Sequence, residues 1–166
     1  MNRTKFAVAI FLAALVAISC KEASHHNQDE HNHMMDSSLS HMKSQTKVVV
    51  VDGIQFAFDM MPIEGHMKMM EEMHMKMKHH EGATHGLMIT VMNKKTNNLI
   101  KNASVDVTVS GQTGESFSKH CEEMTGSGMH HYGTHLKLKP NETYKVKATA
   151  KISSKSYEAE ADFTIE

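Results

Sequence analysis

From Tyr157 to Ile165 every second residue is apolar. Tyr157, Ala159, Ala161, Phe163 and Ile165 alternate with Glu158, Glu160, Asp162 and Thr164. Only an extended chain sends successive side chains to opposite faces, so this stripe predicts a strand with one wet and one buried side. The pattern recurs upstream. Tyr144, Val146, Ala148, Ala150 and Ile152 alternate with polar residues, as do Val105, Val107 and Val109 with Ser104, Asp106 and Thr108. Leu136 and Leu138 alternate with His135 and Lys137, which leaves His135 on the polar surface, and Gly86 to Met92 is apolar and β-branched. Val48–Val51 and Ile54–Phe58 flank Asp52-Gly53, a strong two-residue hairpin signal. Thr96-Asn97-Asn98, Gly111 to Gly114, Pro140-Asn141 and Ser153-Ser154 supply further turn chemistry, and Glu115 to Lys119 can return as a strand. Seven or eight short strands with turn-length connections predict an all-β fold, an immunoglobulin-like antiparallel β-sandwich over residues 47–166.

Residues 63–80 break the pattern. Ile63 to Met73 contains good helix formers, whereas Met73 to Lys78 alternates Met with His or Lys. A short Met-rich helix followed by a strand or loop is expected there. The chain holds sixteen methionines and fourteen histidines, and Met60, Met61, His66, Met67, Met69, Met70, Met73, His74, Met75, Met77, His79, His80 and His85 crowd into this one stretch. Met alone can be an adaptable core filler. Met interleaved with His and Lys is not a core composition. Thioether and imidazole are the neutral ligands of soft and borderline metals, so the segment points to copper(I) first, and then to copper(II), ferrous iron or nickel. On a helix, Met69, Met73 and Met77 share a face at i, i+4, i+8. On a strand, Met73, Met75 and Met77 share one.

The ends suggest export. Asn2 to Lys5 is a short basic region, and Phe6 to Ile18 is an apolar run too short to span a bilayer comfortably. Ala17-Ile18-Ser19-Cys20 looks like a bacterial lipobox, with Ala17 where Leu is more typical. Residues 1–19 are therefore expected to be a lipoprotein signal peptide, cut before a lipidated Cys20. Loss of Arg3 and Lys5 with the leader leaves sixteen basic and nineteen acidic residues, a formal charge of −3, too little positive charge to suggest nucleic acid. Residues 21–46 are rich in His, Ser, Asn and Asp and poor in large apolar residues, which predicts a flexible tether. Its mean reach is roughly 30 Å. Cys121 would be the one thiol left, so no internal disulfide can staple the fold.

A second constellation runs from Met124 through Gly126, Gly128, Met129, His130 and His131 to Tyr132-Gly133. Two glycines predict a loop at one end of the sandwich that could converge on an ion, with Cys121 weighed as a further soft ligand. The spacing Met124-x6-His131-Tyr132-Gly133, followed by strand, turn and strand from Thr134 to Lys147, resembles the periplasmic metal-binding proteins of the high-affinity iron-transport family. The resemblance implies an immunoglobulin-like sandwich, usually dimeric, that holds copper and is implicated in iron uptake. It looks closest to a Met/His-rich lipoprotein branch. The family's loop carries Asp-Gly-Pro before its His-Tyr-Gly, and here Met129-His130 stand where it has the small residue and Pro; its earlier strand bears His-x-Glu where this chain has His85-Gly86-Leu87. The missing carboxylate implies a softer site and weakens a ferrous-iron role.

No serine elbow, phosphate loop or zincin motif is present, so no enzyme is expected. The expected function is that of a metal-binding lipoprotein anchored in the cell envelope, on the periplasmic side of a membrane. It would bind copper, as Cu(I), for chaperoning, buffering or delivery. His85, Met124 and His131 are the candidate site, and Met73, Met75, Met77, His79 and His80 a capture flap above it. A metal transporter or acceptor protein and a second copy of the chain are the expected partners, beside the membrane. The alternatives are an iron-uptake accessory binding ferrous iron or Cu(II), and an adhesion or interaction module with a Met-rich apolar surface.

Overall fold

The computed structural model describes residues 44–78 and 80–166; the leader, Cys20, most of the tether and His79 lie outside the described residues. Period-2 patterning becomes ten strands in two antiparallel sheets. In chain order they are β1 (Gln45–Val51), β2 (Ile54–Pro62), helix α1 (Ile63–Glu72), β3 (His85–Asn93), β4 (Asn98–Leu99), β5 (Ala103–Gly111), β6 (Ser116–His120), β7 (Glu122–Gly126), β8 (Met129–Leu136), β9 (Thr143–Ile152) and β10 (Lys155–Thr164). The first sheet has the order β1-β2-β3-β8-β7, with β4 on the side of β3, and the second has the order β10-β9-β5-β6. This is the expected antiparallel sandwich. Its first strand begins at Gln45, two residues before the expected start.

The Asp52-Gly53 turn behaves as its sequence predicts. Both residues have positive φ, 48° and 79°, and Val51 pairs directly with Ile54. Alternation then sets the core. Phe56, Phe58, Met60, Leu87, Ile89, Val91 and Tyr132 of the first sheet meet Val105, Val107, Val109, Tyr144, Val146, Ala148 and Phe163 of the second, all essentially without solvent exposure. Each large side chain buried this way contributes roughly 1.5–3 kcal/mol. The Tyr132 hydroxyl donates to the Ile100 carbonyl at 2.9 Å and accepts the Ala103 amide at 3.0 Å, so β8 is tied to the chain that leads into β5. The other side of the second sheet is wet and charge-paired. Lys145 lies 3.6 Å from Glu160 and 3.5 Å from Asp162, exposed pairs worth at most about 1 kcal/mol each.

The stretch expected to form a loop around Gly126 and Gly128 is instead a hairpin. Gly126 pairs with Met129 across a turn in which Ser127 and Gly128 both have positive φ, 48° and 78°. The glycines close a two-residue turn and the chain on either side continues the sheet, which lengthens the strand expected near Leu136 back to Met129 and adds β7.

Candidate metal-binding face

The outer face of the first sheet is not left to solvent. Helix α1 and residues 73–78 and 80–84 fold back over it. The helix starts at Pro62, whose φ of −53° suits entry into a helix, and Glu64 lies in its first turn. It ends in a Schellman arrangement. His74 takes a left-handed φ of 54°, its amide donates to the Glu71 carbonyl at 3.0 Å, and the Met75 amide donates to the Met70 carbonyl at 2.8 Å. The apolar contact that accompanies this motif is here between Met70 and Met75, both buried.

Beneath this cover lies a cluster built of one residue type. Met61, Met70, Met75, Met88 and Met124 are buried together, and Met69, Met73, Met77 and Met129 pack against them. The sheet provides the floor by strand register. Asp59, Met88, Gly133 and Glu122 form one cross-strand row; Met61, Gly86 and His135 form another; Met124 is the direct partner of His131. Cross-strand partners hold their Cβ atoms about 4.5–5.5 Å apart.

The floor is low because three of its positions lack a Cβ. One added at Gly86 would lie 2.2 Å from His66 Cγ, one at Gly133 would lie 2.6 Å from Met124 Sδ, and one at Gly126 would lie 2.4 Å from the Met73 carbonyl oxygen. The cover sits directly on the backbone at these points. The Ser127 hydroxyl donates to the Met73 carbonyl at 3.1 Å, and the Lys78 amide donates to Glu122 Oε2 at 3.3 Å.

The structure gathers five of the described candidates and separates His80, which stands beside His135, and His85. Met73, Met75, Met77 and Met124 share the cluster, and half-buried His131 stands beside Met124. The His131 Nδ1 pairs with the Thr90 hydroxyl at 2.7 Å, which fixes the ring and leaves Nε2 for other use. Burial lowers the His131 pKa, with Asp59 opposing and His130 assisting. His85 does not join them. It shares the parity of Leu87, Ile89 and Val91, so alternation turns it toward the opposite face from Met88, and its Nδ1 lies 3.0 Å from the Thr84 hydroxyl. It is also five residues along β3 from Thr90, about 17 Å. Cys121 faces the core between the sheets, 2% exposed, where burial and then Asp106 raise its pKa to about 12. A protonated thiol in the core is no partner for the thioethers outside.

Two histidines were misjudged or passed over by sequence reasoning. His135, expected at the surface, is 1% exposed because the cover closes over it. Its Nε2 lies 3.3 Å from Nδ1 of His66, itself 0% exposed, and its Nδ1 lies 3.4 Å from the His80 amide. The ring of half-buried His80 stands edge-on to His135 at 5.7 Å. Burial first and His135 second lower the His66 pKa to about 4. The legible signal was His66-x3-Met70, an i, i+4 pair on one helix face. Among the described residues no three His, Cys, Asp or Glu side chains converge as a metal site.

No family model matches the sequence, and no curated protein shows significant sequence similarity to it. The fold has solved counterparts. FetP of uropathogenic Escherichia coli strain F11, expressed in the periplasm, aligns with a TM-score of 0.55 at 17% identity, over 74% of this chain and 94% of that one. The copper-reconstituted P19 protein of Campylobacter jejuni aligns with a TM-score of 0.55 at 12% identity, over 75% and 96%. A DUF4426 family protein of Pseudomonas aeruginosa PAO1 aligns equally well, 0.55, at 8% identity, over 73% and 96%. The likeness is one of fold: the chain shares its sandwich with these proteins.

Proposed function

We propose that this protein is a copper-binding lipoprotein of the bacterial envelope, held on the periplasmic side of a membrane through a lipidated Cys20, and that its cargo is Cu(I). It is a binding protein for chaperoning, buffering or delivery rather than an enzyme. The observation that carries the reading is the covered cluster of nine methionines, with Met124 beside His131. Thioether and imidazole suit Cu(I), and thioether is a poor donor for ferrous iron. At the margin, Asp59 accepts from the Thr46 hydroxyl and Glu122 from the Lys78 amide, each through one oxygen. The copper-bound FetP variant and the copper-reconstituted P19 protein show that this sandwich can carry copper elsewhere. Neutral thioethers need no deprotonation, so capture would persist at acidic pH, whereas each imidazole must be neutral to bind.

Met124 and His131 are fixed in the sheet, while Met73, Met75 and Met77 belong to the cover. Competition titration against a Cu(I) chelator separates the two contributions. Met124→Leu and His131→Ala are each expected to weaken the tightest equivalent, and single substitutions among the three cover methionines to reduce capacity or capture rate. If wild type takes no Cu(I) from the chelator, the copper reading fails. If Met124→Leu and His131→Ala bind as tightly as wild type, the site is not at that pair.

A further inference from the structure

His66 has no account in the fold alone. It is fully buried, in a helix whose other buried residues are Gly65 and Met70, and it stands over the backbone of Gly86. Its Nδ1 is engaged with His135, but its Nε2 is buried without any partner. Either tautomer leaves an unpaired group: a buried N–H with no acceptor, or a buried lone pair with no donor. Such a group ordinarily costs about 1–3 kcal/mol. A core position that needed only volume would be met by Leu or Phe at no such cost.

The surroundings decide which tautomer has a use. The His80 amide donates to His135 Nδ1, so in the metal-free chain His135 donates Nε2–H to His66 Nδ1 and His66 carries its own proton on Nε2. When the two rings exchange tautomers, giving up the 3.4 Å His80 contact, His66 donates Nδ1–H to His135 Nε2 and its own Nε2 presents a lone pair on the methionine side of the sheet. Met61 shares the strand row of Gly86 and His135, Met70 follows His66 by one helical turn, and both belong to the buried cluster. A ligating imidazole that donates its second N–H to a fixed acceptor is the common arrangement at metal sites.

We infer that His66 Nε2, with the thioethers of Met61 and Met70, forms a second soft-metal site, and that His135 is its positioning residue. The site is distinct from the Met124–His131 pair. His135 and His131 are four residues apart on β8, about 13 Å. The inference relies on the copper reading for the natural cargo only. The ligand class, a soft monovalent d10 cation, follows from one neutral imidazole, two neutral sulfurs and no carboxylate.

The test uses the mature protein in detergent with Ag(I), a monovalent probe without redox chemistry, followed by nitrogen-15 NMR of the imidazoles. As Ag(I) is added, the His66 Nε2 resonance should shift from its metal-free position as Nε2 loses its proton, and its Nδ1 should become the protonated nitrogen. His66→Phe should remove one tight equivalent while leaving the one that Met124→Leu weakens. His135→Leu should weaken the His66 equivalent by roughly 10–100-fold without abolishing it. If the His66 Nε2 resonance stays in place at saturating Ag(I) in the wild-type protein, the site does not exist and the pair is a structural hydrogen bond only; this readout does not depend on any variant folding. If His66 responds while Met124 and His131 do not, the inference stands and the placement of the primary site falls.

Discussion

The two faces of the first sheet are made by the same strands and filled by opposite strategies. Inside, Phe56, Phe58, Leu87, Ile89 and Val91 present aromatic and branched side chains, stiff and shape-specific. Outside, Met61, Met88 and Met124 present unbranched thioethers under a cover that is itself methionine-rich. Branched cores reward complementarity, and flexible thioethers tolerate rearrangement. The inner face therefore specifies the fold, whereas the outer face holds together without specifying a unique packing. That is the property a face needs if its contents are to change partners.

The contrast can be broken most severely from the inside. Phe56→Ala should cost about 3–5 kcal/mol in a denaturant titration, because the rigid core cannot collapse around the loss, whereas Met88→Leu on the outer face should cost less than about 1.5 kcal/mol. Equal losses would mean that the outer cluster is an ordinary core. Gly86→Ala should come next. A methyl group there meets His66 at 2.2 Å, so relief requires the cover to lift. A cost of about 1–3 kcal/mol and faster amide exchange confined to residues 63–84 are expected. Exchange that rises across the whole sandwich instead would make the cover part of the core.

The pH dependence sharpens the difference further. His66 has a folded pKa of about 4 against an ordinary 6.5, because burial disfavours its charge. Above pH 6.5 it is neutral in both states and contributes nothing. As pH falls from 6.5 toward 4 the unfolded chain takes up a proton that the folded chain refuses, so stability declines across that window. Metal-free His66→Phe should show a flatter stability profile there. The smallest effect should come from His74→Gly. A side chain at a left-handed φ of 54° is strained where glycine is not, and relief of about 0.5–1 kcal/mol should appear as a small rise in Tm.

How far the sequence foretold this depends on whether a residue's surroundings were local. The stripe from Tyr157 to Ile165 and the turn at Asp52-Gly53 were readable because alternation and φ preference need no knowledge of the rest of the chain. The pairing of Met124 with His131 was misassigned to a loop. Two glycines signal a turn but do not say whether the flanks pair, and here they do. His135 read as surface because its strand alternates with Leu136, and period-2 logic distinguishes two faces without knowing that a helix covers the polar one. His85 was placed with Met124 by resemblance, yet a strand's parity assigns it to the other side. The cover is the non-local element, and the misplacement of His135 traces to it.

Cys121 gives the molecule a second kind of sulfur in a second compartment. Its thiol is sealed between the sheets, and the thioethers of Met61, Met88 and Met124 lie beneath a lid of one helix and a crossing segment. A thiol reagent can reach Cys121 only when the sandwich itself opens, whereas a mild methionine oxidant needs only the lid to lift before it reaches Met61, Met88 and Met124. The chain thus carries two internal clocks, one counting global unfolding and the other counting local opening, and the ratio of their rates can be read in a single sample.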